Sequence, residues 1–225
     1  TDQPTSGTLL PDDSMPTSNS VPTISECLEL ASDTRAMALG LDALSQLPDL
    51  IHCHYVSGGP SPSDAEPGSS SPGGAFLVAD GNTLAAAGLK VQEILRAAGI
   101  QVLGSHIYPA EPRLHADYAQ AKALGALLRS QNPQPGVVIS VGAGTVNDLV
   151  KRGAHEAGLP YLCVATAASV DGYTSAGSAL LDRGFKRTFA CPAPRVVVAD
   201  SAVLAAAPAY LASSGFGDLA GKVIA

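Results

Sequence analysis

From residue 75 onward, short unbroken apolar runs alternate with longer stretches in which apolar positions recur every three or four residues. The runs "AFLVAD" (75–80), "IQVLGSHIYP" (100–109), "GVVISV" (136–141), "LPYLCVAT" (159–166) and "RVVVAD" (195–200) are too short for buried helices and are bounded by turn residues, so each reads as a strand. The stretches "NTLAAAGLKVQEILRAAG" (82–99), "HADYAQAKALGALLRSQ" (115–131) and "TVNDLVKRGAHEAG" (145–158) carry helical periodicity. The first has Asn82 or Thr83 near its N-cap and Gly99 past its end. Strands apolar on both faces and separated by helices imply an α/β fold, a Rossmann-like parallel sheet with helices on both sides.

The flanks differ. Residues 1–22 are rich in Pro, Ser, Thr and Asp and are expected to be a disordered tail. Residues 23–50 hold two apolar patterns, "ISECLELAS" and "MALGLDALSQLPDL"; the second reads as a helix that ends at its proline. Residues 56–74, "VSGGPSPSDAEPGSSSPGG", read as a low-complexity surface insertion. After residue 200 the pattern becomes wholly helical. The expected division is an α/β domain over 23–205 and the start of a helical domain over 206–225. The run "FGDLAGKVIA" reads as the opening of a helix, so the sequence reads as a fragment cut within that element.

Composition narrows the function. Hydrophobic residues make up 46% of the 225, enough for a sizeable core, and the formal net charge is -7. An acidic chain lacks the basic footprint of a general nucleic-acid binder. No run approaches the about 20 apolar residues of a membrane span. The four cysteines form no CxxC pair, and Cys163 reads as a small hydrophobe in a strand. Nothing demands an oxidising compartment, and the cytoplasm is the default expectation.

Candidate chemistry gathers at the ends of strands. "GVVISVGAGTVND" reads as strand, tight turn and helix start, with Gly142 and Gly144 letting backbone approach a ligand and free N–H groups favouring a phosphate. Asn147 stands where a strict dinucleotide fingerprint has its third glycine, so a phosphate site and a plain tight turn both fit. Asp148 also fits as a first-turn acid that complements the helix dipole. The next turn, "CVATAASVDGYTS", offers Thr166, Ser169, Asp171, Thr174 and Ser175 at the same sheet edge, where parallel sheets bind ligands. A surface Asx turn fits Asp171 equally. Asp218, after Gly217, reads either as the N-cap of an apolar helix or as a carboxylate ligand for a metal. The five histidines lie elsewhere. Arg183, Lys186 and Arg187 in "RGFKRT" read as a solvated hairpin tip, with phosphate binding as the alternative. Asp80, ending the first of these strands, is a candidate reader of a ribose hydroxyl.

Together these residues make the chain resemble the sn-glycerol-1-phosphate dehydrogenases, in particular their bacterial branch. That group shares a superfamily with glycerol dehydrogenase, iron-containing alcohol dehydrogenases and dehydroquinate synthase. The resemblance is carried by "GVVISVGAGTVNDLVK", "GLPYLCVATAASVDGYTSAGSALL", "GFKRTFACPAPRVVVAD" and "APAYLASSGFGDLAGK", in that order over residues 136–222. It implies that Gly144, Thr145, Val146, Asn147 and Asp148 lie along the pyrophosphate of NAD or NADP. It implies that Thr166, Ala167, Ala168 and Ser169 line the dinucleotide toward the nicotinamide, with Ser175 also on the cofactor. Asp171 is implied to bind substrate, and Asp218 to bind a catalytic divalent metal, zinc or nickel, and to touch substrate. The family's two histidine ligands come from a helical domain that follows the last residue here, so the resemblance implies an inactive fragment of a dehydrogenase. The implied reaction interconverts dihydroxyacetone phosphate and sn-glycerol 1-phosphate, a phosphorylated small molecule, by hydride transfer beside a Lewis-acid metal. A glycerol dehydrogenase, a dehydroquinate-synthase-like lyase and a non-catalytic nucleotide-binding module are the alternatives. A homo-oligomer is compatible with the sequence, which does not fix the assembly.

Overall fold

The computed structural model describes residues 21–55 and 73–224. Most of the expected tail and of the expected insertion lies outside the described residues. The five expected strands all form. They are β2 (Ala75–Asp80), β3 (Val102–Tyr108), β4 (Val137–Gly142), β5 (Tyr161–Ala165) and β8 (Val196–Asp200). A sixth strand, β1 (Ala36–Gly40), joins them in one parallel sheet of order β1-β8-β5-β4-β2-β3.

β1 corrects the expected helix over 37–50. After a short helix α1 (Ile24–Leu30), the segment is a strand to Gly40, then a 3-10 turn (Ala43–Gln46), then helix α2 (Leu47–Tyr55). Pro48 therefore opens a helix rather than ending one. In the first helical turn an amide N–H has no intrahelical acceptor, so a proline removes nothing. The apolar residues of this edge strand run straight on into the helical pattern that follows, so nothing local marks where the strand ends.

Every residue of β4 and β5 is buried, which is the local reason for their unbroken apolar runs. Each fully buried Val, Leu or Ile there contributes roughly 1.5–3 kcal/mol. One face of the sheet packs on α2 and on α4 (Leu89–Ala97), through Leu47, Ile51, Val91 and Leu95. The opposite face packs on α5 (Tyr118–Arg129) and α6 (Gly144–Ala157), through Leu124, Leu128, Leu149 and Val150. An antiparallel hairpin, β6 (Ser178–Asp182) and β7 (Phe185–Phe189), lies beside α6, as "RGFKRT" suggested. Arg183 and Gly184 take positive φ at its turn, and Arg187 pairs with Asp182 at 3.0 Å rather than standing free.

The strand order places the functional edge. The chain passes from β2 outward to β3 and then returns to the other side of β2 as β4. Crevices at such a reversal, beyond the carboxyl ends of the strands, are where open parallel sheets hold ligands. Two residues beyond the paired Val78 and Ser140, Asp80 and Gly142 end their strands side by side. Gly142 in turn pairs with Ala165 at the end of β5. The chain closes with α7 (Ser201–Ala206) and α8 (Ala209–Ile224).

Candidate dinucleotide site and acidic pair

The wall nearest the reversal is the start of α6. Ala143 is its N-cap, with no side-chain capping bond, so the first-turn N–H groups of this 14-residue helix are left to other partners. A Cβ on Gly142 would lie 2.4 Å from the Val146 Cβ, so only glycine allows the turn into the helix this tight. Thr145 and Gly144 are half-buried at the mouth, and Val146 is buried behind them. Asn147 is 2% exposed, and its side-chain oxygen has no hydrogen-bond partner among the described residues. A buried acceptor left unpaired costs about 1–3 kcal/mol. An uncapped helix start and an unpaired amide oxygen in that helix's first turns fit a bound group carrying both negative charge and hydrogen-bond donors, as a dinucleotide does.

Asp148 turns away from this mouth. Its carboxyl lies among the Ala179 N–H, Lys151 and Lys186, and burial pushes it up to about 6 against their opposing pull. The carbonyl of Asp148 accepts from the Ser178 hydroxyl at 2.8 Å. Of the residues expected along the pyrophosphate, Asp148 is the one whose present contacts tie α6 to the hairpin.

At the end of β2, Asp80 rather than Asn82 or Thr83 is the N-cap. Its carboxylate accepts the Thr83 N–H at 2.8 Å, and the Thr83 hydroxyl accepts the Asp80 N–H at 3.0 Å. The helical region that follows, α3 (Gly81–Thr83) into α4, widens to a π-turn at Leu84–Gly88.

The second wall is the turn after β5. Thr166 donates its N–H to the Gly142 carbonyl at 3.2 Å, so the two turns meet. Thr166, Ala167 and Ser169 are buried, while Ala168 is exposed. The Ala167 carbonyl accepts from the Tyr173 hydroxyl at 2.6 Å, folding the turn on itself. Ser175 is exposed and donates its hydroxyl to the Gly172 carbonyl at 2.8 Å.

The third wall is α8, and here the expectation for Asp218 is corrected. Asp218 begins no helix; it lies well inside α8, which starts at Ala209. The N-cap reading therefore fails. The helix continues through "SSGFGD" because it is held from outside. A Cβ on Gly215 would fall 2.1 Å from the Ala168 carbonyl oxygen, so α8 sits directly on the second wall. That contact brings the two carboxylates together. The Asp171 N–H donates to the Asp218 carboxylate at 3.2 Å, and Lys222, one turn beyond Asp218, pairs with the Asp171 carboxylate. The Lys222 ammonium holds the Asp171 carboxyl below its ordinary range, and Lys222 is itself raised.

No three His, Cys, Asp or Glu side chains come together among the described residues. Asp218 is thus a single candidate ligand rather than a metal centre, and none of the histidines contacts it. Lys151, Gly215 and Lys222 escaped the sequence reading. The signal for Lys151 was present, since it falls on the inward stripe of α6 with Asn147, Val150 and Ala154.

Residues 69–208, more than half the chain, match the family model described as iron-containing alcohol dehydrogenase. The chain belongs to this family. Among curated proteins of the family's kind, it is 39% identical over 147 residues to the glycerol-1-phosphate dehydrogenase (NAD(P)+) of Bacillus velezensis, which covers 65% of this chain and 37% of that protein. It is 33% identical over 190 residues to the enzyme of that name from Halalkalibacterium halodurans, covering 83% of this chain and 42% of that protein. The chain therefore spans about two fifths of the length of these relatives. The glycerol dehydrogenase structure from Schizosaccharomyces pombe superposes with a TM-score of 0.62 at 21% identity, over 84% of this chain and 42% of that one. The maleylacetate reductase from Agrobacterium tumefaciens gives 0.62 at 14% identity, over 83% and 47%. At such identities these two likenesses speak for the fold alone and not for a substrate.

Proposed function

We propose that the protein is a metal-dependent NAD(P)H-linked oxidoreductase interconverting dihydroxyacetone phosphate and sn-glycerol 1-phosphate. The observation that carries this reading is the convergence of three walls on one edge: the uncapped start of α6, the turn 166–171, and Asp218 on α8. Membership of the iron-containing alcohol dehydrogenase family supports the reaction class. The names of the bacterial relatives support the phosphorylated substrate.

In this reading the first-turn amides of α6 hold the pyrophosphate, with Gly144, Thr145, Val146 and Asn147 along it. NAD(P)H supplies the hydride when bound. The buried Thr166, Ala167 and Ser169, with Ala168 beside them, form a wall that excludes water on the nicotinamide side. Ser175 serves the cofactor only if its bond to Gly172 opens. Asp171 orients the substrate. Asp218 gives one ligand to a divalent metal, zinc or nickel, and the remaining ligands come from outside the described residues. Asp148 acts on the cofactor through the placement of α6. Asp80 keeps one carboxylate oxygen beyond its cap for a ribose hydroxyl.

The test follows NADH oxidation by the intact protein with dihydroxyacetone phosphate, before and after chelation and metal restoration. Metal-dependent turnover that is absent with unphosphorylated dihydroxyacetone supports the proposal. Turnover of neither substrate, with metal and NADH bound, refutes it.

A further inference from the structure

Lys151 heads the largest fully buried side chains among the described residues, at 1% exposure. It lies two turns into α6, with no carboxylate in salt-bridge contact. Its ammonium instead donates to three backbone carbonyls: Ser175 at 2.7 Å, Gly177 at 3.1 Å and Gly172 at 3.5 Å. An ammonium has three donors, and here each has an acceptor. Burial without an ion pair is costly, and it lowers the lysine's tendency to hold its proton even with Asp148 one turn away.

The three acceptors come from one short stretch. Residues Gly172–Thr174 form a 3-10 turn, and Gly177 takes φ +83°. Without a cation at their centre, these carbonyls would point together with nothing to offset their dipoles. The same stretch begins at Asp171, whose N–H meets the Asp218 carboxylate. One cation on α6 therefore anchors the loop that carries Asp171.

We infer that Lys151 is a positioning residue: by gathering the 172–177 carbonyls it fixes Asp171, and through it the contact with Asp218, relative to the start of α6, without touching a bound ligand. The inference rests on the proposed reaction only for the choice of substrate.

The experiment compares the intact wild-type protein with Lys151→Met and Lys151→Arg. Three quantities are read: amide exchange of the peptide spanning 171–178, the Kd for NADH, and kcat/KM for dihydroxyacetone phosphate. Lys151→Met is expected to speed exchange in 171–178 by at least about tenfold, leaving β4 and β5 protected. It is expected to lower kcat/KM by about 30-fold or more while the NADH Kd moves less than about threefold. Lys151→Arg is expected to recover part of the protection. Unchanged exchange in 171–178, or loosening of the whole domain with parallel loss of NADH affinity, overturns the inference. If Lys151→Met does not fold, Lys151→Gln carries the same measurements; failure of both to fold assigns the lysine to the fold alone and also overturns it. If the wild type does not reduce dihydroxyacetone phosphate, the exchange and NADH arms still decide, and only the reaction reading fails.

Discussion

The backbone N–H of Asp171 donates to the Asp218 carboxylate at 3.2 Å, joining residues 47 positions apart. The bond links the turn after β5 to the middle of α8. It sets two carboxylates side by side at the carboxyl edge of the sheet, with Lys222 as the balancing charge.

Replacing Asp218 tests that pair. Asp218 is exposed, so Asp218→Asn should change stability by no more than about 0.5 kcal/mol. In the intact protein it should reduce bound divalent metal, measured by elemental analysis, and lower kcat by at least about 10²-fold. NADH affinity should be nearly unchanged, since Asp218 lies off the α6 wall.

Gly215 and Gly221 share a helix but should respond oppositely. Gly to Ala inside a helix ordinarily stabilises by roughly 0.5–1 kcal/mol. Gly221 has nothing within 4 Å of an added Cβ, so Gly221→Ala should show that gain in thermal melting. At Gly215 the added methyl meets a backbone carbonyl oxygen, so Gly215→Ala should instead cost about 1–3 kcal/mol or lift α8 from the turn. Amide exchange in α8 would report the lifting.

Asn147 should trade stability against binding. Asn147→Leu removes a buried unpaired oxygen while keeping the side-chain branching, and should stabilise the ligand-free protein by about 1 kcal/mol. The same change should weaken NADH binding about tenfold, equivalent to about 1.4 kcal/mol. Denaturant midpoints and fluorescence titration measure the two effects separately.

Asp148 gives a pH dependence of defined sign. Burial raises its carboxyl to about 6 in the folded state, above the value of 3.8 in an open chain. Between these values the folded state binds the extra proton, so this group's contribution is full below about 4 and is lost as pH rises through 6. Asp148→Asn should therefore gain stability over wild type at pH 7.5 relative to pH 4.5. An equal difference at both pH values in urea melts would show that Asp148 is not held in this way.

The sequence by itself determined the alternation of strands and helices over residues 75–200, because burial on both faces of a strand and on one stripe of a helix leaves a local periodic trace. It also placed the glycine turn and the hydroxyl-rich turn at one edge, since parallel strands must all end on the same side. Tertiary structure alone decided what depends on distant partners. β1 exists because β8 pairs with it, although locally its apolar residues read as the start of a helix. α8 runs through Gly215 and Gly217 because Gly215 packs on Ala168, where local propensity reads a break. Lys151 is buried because three carbonyls of a later loop converge on it, and Asp171 meets Asp218 because that loop and α8 are held in place. These are contacts between segments whose local patterns carry no record of each other, so only the folded chain specifies them.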